Sequence, residues 1–110
     1  MKIKVEREKF LSYDEKGRPV IPCFITYISN TEPVLIHRYG KVDYSDGYDD
    51  FVDIFSYDNG KTWTEPILHY KGITTAEGKI RYAESAGFFD PDRKILITIT
   101  DKRLYPKDKL

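Results

Sequence analysis

The 110 residues amount to one domain or less, and Lys plus Arg equal Asp plus Glu at 18 each. That balance leaves no global field to draw the chain to nucleic acid or to an anionic membrane, and no stretch is long and apolar enough to span a bilayer. A single cysteine, Cys23, excludes an intramolecular disulfide and a CxxC zinc site. Placed in an apolar run, it reads as a small buried hydrophobe. Residues 1–8 lack the apolar core of a signal peptide, so the chain reads as soluble, with its compartment left open. Nine Tyr and six Phe suit half-buried strands and carbohydrate-facing surfaces alike.

In chain order, residues 2–10 alternate apolar and charged, with Ile3 and Val5 on one side, as in an edge strand. Residues 12–19 are rich in turn formers. The apolar run 20–28 predicts a strand covered on both faces, with Pro22 near its start where a missing N–H is tolerable. A turn at Asn30-Thr31-Glu32-Pro33 leads to a strand over 33–39. Residues 41–50, with Asp43, Tyr44, Asp46, Tyr48, Asp49 and Asp50, read as a polar acidic loop.

Two extended runs, 51–57 and 62–70, flank Asn59-Gly60, a pair that accepts positive φ cheaply and so predicts a hairpin. Residues 71–79 read as a flexible connection. A second hairpin joins 80–89 to 94–101 through Asp90-Pro91-Asp92-Arg93. In its second arm Ile95, Ile97 and Ile99 share one face, a period of two that means strand. Residues 102–110 read as a basic, frayed tail. No segment carries a helical period, so the expected class is all-β.

The first hairpin has a more specific composition: Ser56-Tyr57-Asp58-Asn59-Gly60-Lys61-Thr62-Trp63. Asp58 is suited to accept backbone N–H bonds ahead of it, Ser56 and Thr62 flank it with hydroxyls, and Trp63 offers an apolar face beneath the turn. The string S-x-D-x-G-x-T-W resembles the Asp-box, or BNR repeat. In that family the motif turns the chain between the third and fourth strands of a β-propeller blade and lies away from the ligand. Ser56, Asp58, Gly60, Thr62 and Trp63 would then be structural.

The resemblance implies antiparallel propeller blades in a single partial domain over 1–110. One blade would span about 20–70 and the inner strands of a second about 80–101. Propellers carry about four to eight blades, and a lone repeat cannot bury its faces. The chain therefore reads as a fragment, or as a unit that other chains or self-association would complete. A small β-sandwich built from the same hairpins is the alternative.

Among Asp-box propellers, residues 18–101 resemble the first blade and a half of the sialidase-like glycoside hydrolases. That resemblance makes Asp46, in the acidic loop, the acid/base residue, with Asp43, Asp49 and Asp50 as competitors. Arg38 and Glu84 become ligand contacts, joined by Asp43, Asp50 and Tyr48 in the loop. Val20-Ile21-Pro22 stands where the family has Arg-Ile-Pro, so the arginine that clamps a sialic-acid carboxylate is missing, and Arg18 lies two residues off. The family's tyrosine nucleophile and its further arginines come from later blades and have no counterpart here.

The expected ligand is a carbohydrate, and no cofactor or metal is called for. His37 and His69 lie on separate strands as ordinary strand residues. The implied activity is exo-acting glycoside hydrolysis by the parent protein. Against it stand a non-catalytic carbohydrate- or protein-recognition fragment and a vestigial piece with no activity of its own.

Overall fold

Alternating apolar residues and well-placed turn formers produce seven strands and no α-helix among the described residues. The structure, a computed structural model, describes residues 2–4, 16–44 and 47–107, with the backbone alone at 43–44, 47–48 and 83–85. Strands β1 (Val20–Tyr27), β2 (Leu35–Tyr44), β3 (Gly47–Ser56) and β4 (Ile67–Lys71) form a four-stranded sheet in sequence order. Strands β5 (Ile73–Thr75), β6 (Gly78–Asp90) and β7 (Ile95–Pro106) form a second sheet of three, again in sequence order. Every pairing is antiparallel. The all-β expectation holds, and among the described residues the two sheets close no ring.

The second sheet lies against the first through β6, which contacts β1, β3 and β4. Gly87 of β6 sits so close to Phe24 of β1 that an added Cβ would fall 2.6 Å from its ring carbons. Tyr82 stacks on Tyr70 of β4, centroids 4.4 Å apart. Strands β2 and β3 thus carry a buried side chain on each face. Tyr39, Val52 and Ile54 form one cluster with Val20 and Trp63 packed against it, while Phe51, 1% exposed, belongs to the opposite side.

Several boundaries differ from the sequence reading. Strand β1 is an edge strand rather than one covered on both faces, and Ile25 and Tyr27 are about half exposed. The register shifts between Pro22 and Phe24, an irregularity on an edge strand of the kind at which proline is tolerated. Cys23 is only half-buried for the same reason. The acidic stretch 41–50 is mostly strand: Val42 pairs with Tyr48 and Tyr44 with Gly47, with irregularities absorbing the uneven count.

Strand β4 starts at Ile67, so the turn is longer than the Asn-Gly pair alone requires. Residues 71–79 hold β5 and a tight hairpin instead of a loose connection. Residues 102–106 are paired strand rather than tail, because β6 begins early enough for Gly78 to meet Pro106. Asp90 closes the second hairpin as expected, its carboxylate accepting from the backbone N–H groups of Asp92 and Arg93.

Candidate functional site

The turn after β3 is built from its own side chains. The Ser56 hydroxyl donates to Asp58 Oδ1 at 2.8 Å and accepts from the Gly60 N–H at 2.8 Å. Asp58 Oδ1 accepts from the Thr62 N–H at 2.8 Å, and Oδ2 from the Thr62 hydroxyl at 2.6 Å. The Thr62 hydroxyl is the main reason the Asp58 carboxyl is held down at about 2. Asn59 and Gly60 both take positive φ, 60° and 86°.

Thr64 then pairs with Phe55, N–H to carbonyl at 2.8 Å, which brings the chain back beside β3. The turn is also tied sideways, since the Asn59 N–H donates to the Pro33 carbonyl and the Tyr27 hydroxyl to the Asn59 side chain. Trp63 tucks beneath it against the Tyr39, Val52 and Ile54 cluster, with His37 edge-on at 6.0 Å. Burial pushes the His37 pKa down, which suits a neutral ring packed among aromatics.

At the other end of β2 and β3, the acidic hairpin meets cations. Asp49 lies between the Arg18 guanidinium, 3.3 Å from Oδ2, and the Lys79 ammonium on Oδ1. Asp50 lies 3.9 Å from Arg18 and opposite Lys41 in register. Gly72 allows the close approach, its N–H donating to the Asp49 carbonyl at 2.6 Å. An added Cβ there would fall 2.5 Å from Asp49 Oδ1. Beside this cluster runs a groove of about 560 Å³, lined by Lys16, Arg18, Lys41, Asp50, Glu65 and Leu68 among others. Ion-pair networks at partly buried positions fix side chains in place, and mixed carboxylates and cations offer both acceptors and donors to a polyol.

A second charged group lies within the sheet. Arg38 and Asp53 sit directly opposite each other on β2 and β3. Two bonds join them, Nε to Oδ1 at 2.7 Å and Nη2 to Oδ2 at 3.0 Å, both side chains being buried. The guanidinium also covers the Phe24 ring at 5.2 Å. His69 approaches Asp53 Oδ2 at 3.6 Å, yet burial and then the Arg38 charge push its pKa down.

These observations redistribute the residues singled out from sequence. Asp46 lies outside the described residues. The backbone of Asp43 and Tyr48 flanks it on β2 and β3, and Glu84 stands at an irregularity in β6 between Ala83 and Ser85. Asp50 lines the groove. Arg38 stands six residues before Tyr44 on an extended strand, roughly 20 Å along it, and its guanidinium faces Asp53 rather than the hairpin tip.

Sequence reasoning missed Asp53, Lys41 and Lys79. Asp53 had a usable signal, since an acid inside Val52-Asp53-Ile54 needs a buried partner, and Arg38 in a neighbouring apolar run could supply it. Nothing in the local pattern marks Lys79, which reaches Asp49 only through the fold. Comparison with protein-family models, curated proteins and solved structures finds no match to this chain.

Proposed function

We propose that the chain is part of a sialidase-like Asp-box propeller that binds or hydrolyses a glycan at the β2–β3 hairpin, with Asp46 as general acid. The observation that carries this reading is the turn at residues 56–63. Ser56, Asp58, Gly60 and Thr62 are bonded to one another, and Trp63 lies beneath them on a four-stranded antiparallel meander. Such a turn, placed after the third strand, is what the Asp-box pattern requires.

The acidic hairpin lies next to a groove of mixed charge, where Asp50 would meet sugar hydroxyls and Asp43 and Tyr48 would add contacts, whereas β6, which carries Glu84, packs on the other face of the sheet. Arg38 serves this site indirectly by locking β2 to β3 through Asp53.

A second reading, carbohydrate recognition without turnover, is favoured by the pairing of Asp49 with Arg18 and Lys79. Carboxylates already neutralised by cations hold a ligand better than they pass a proton. A panel of aryl glycosides assayed with the wild type and with Asp46→Asn separates the two. Turnover abolished by the substitution supports catalysis. Glycan binding with no turnover in either protein supports recognition, and turnover indifferent to the substitution removes Asp46 from the mechanism.

A further inference from the structure

The cations that line the groove beside the acidic hairpin are already engaged. Among the described residues they are Lys16, Arg18 and Lys41, and two carboxylates, Asp50 and Glu65, line the groove with them. Arg18 spans two aspartates, its Nη1 3.3 Å from Asp49 Oδ2 and its Nη2 3.9 Å from Asp50 Oδ2. The side chains of Arg18, Asp49 and Asp50 are 20%, 22% and 20% exposed, so solvent screens them only in part. Lys41 is buried opposite Asp50 in the β2–β3 register, and neither it nor Lys16 lacks a partner.

A ligand carboxylate entering this groove meets cations whose charge is already balanced. To bond Arg18 it must displace Asp49 or Asp50, or lie beside them as a third negative charge. A hydroxyl faces neither cost. It accepts from an N–H and donates to a carboxylate oxygen, so it joins the network without breaking it. Pro66 and Leu68, the latter 55% exposed, add apolar surface for the C–H face of a sugar ring.

We infer that the groove, on the glycan reading above, selects an uncharged sugar over its uronic or sialic acid counterpart. Asp49 sets that preference as a positioning residue, by occupying Arg18. Lys79 on its other carboxylate oxygen holds it in place.

The test is a glycan array that carries each backbone in a neutral form and in a uronic or sialic acid form, probed with the full chain. The wild type should favour the neutral member of a pair on the order of tenfold, the size of one modest charge repulsion. That binding should change by less than about twofold between about 0.01 M and 0.15 M ionic strength, since no ligand charge is screened. Asp49→Asn keeps the shape that Gly72 admits and removes the charge. It should raise the acidic-to-neutral ratio on the order of tenfold, with the added acidic binding lost at the higher salt. Asp101→Asn, which makes the same change in net charge outside the groove, should keep the wild-type ratio.

Circular dichroism confirms that each variant folds, and the wild-type comparison decides the preference without any variant. A wild type that binds the acidic members as well or better overturns this inference and leaves the glycan reading standing. A chain that binds neither member of any pair overturns both. An Asp49→Asn ratio equal to that of Asp101→Asn overturns the role of Asp49.

Discussion

Arg38 and Asp53 face each other across β2 and β3 with two hydrogen bonds, 2.7 and 3.0 Å, and both side chains are buried. Each charge is compensated by the other at hydrogen-bond distance. Replacing Arg38 by Met should leave Asp53 uncompensated and cost about 3–5 kcal/mol in urea denaturation. Arg38→Met combined with Asp53→Leu should recover most of that loss, because a well-packed apolar pair often does as well as a buried ion pair. A double variant as unstable as the single one would show that the pair also orders something beyond itself.

The turn at 56–63 predicts an acid dependence whose sign is fixed. The Asp58 carboxyl sits at about 2 in the folded protein against an ordinary 3.8, held there first by the Thr62 hydroxyl. A depressed folded pKa means stability that is fully present above the ordinary value and lost as pH falls from about 4 toward 2. Melting temperatures of wild type and Asp58→Asn should therefore differ most at neutral pH and converge across that acid window. A constant gap down to pH 2 would mean that the carboxylate charge plays no part in the turn.

The packing of the two sheets predicts a cost for a single methyl group. Gly87→Ala would drive a Cβ to within 2.6 Å of the Phe24 ring, which must shift or push β6 away. We expect a loss of about 1–3 kcal/mol in denaturation, as for other overpacked contacts. Phe24→Leu in the same chain should recover part of it. Full tolerance of the alanine would mean that β6 does not lie against β1 at this point.

These cases mark what the sequence made legible. The all-β class, both hairpin turns and the isoleucine alternation of β7 follow from local rules of turn chemistry and period two, and they agree with the structure. Strand limits were less legible because they depend on partners. Residues 41–50 read as a loop by composition, yet Val42 and Tyr44 find Tyr48 and Gly47 opposite them. Residues 102–106 read as tail, yet β6 runs long enough to pair them.

The candidate site was legible only in part. Its acidic side stood out as a run of aspartates. Its cationic side is assembled from Arg18, Lys41 and Lys79, which lie on three separate segments and meet only in the fold. Arg38 was visible as a charge in an apolar run, but its role was decided by register, which places Asp53 opposite.

On the proposed function, the acidic hairpin and its neighbouring groove engage a glycan. The most direct measurement is a titration followed by backbone amide shifts, using oligosaccharides selected on a glycan array. The account predicts saturable shifts concentrated at residues 41–50 and at Leu68, weakened by Asp50→Asn, with the turn at 56–63 left in place. An array on which the chain binds no glycan, or shifts confined to the Ser56, Asp58 and Trp63 turn, would contradict it.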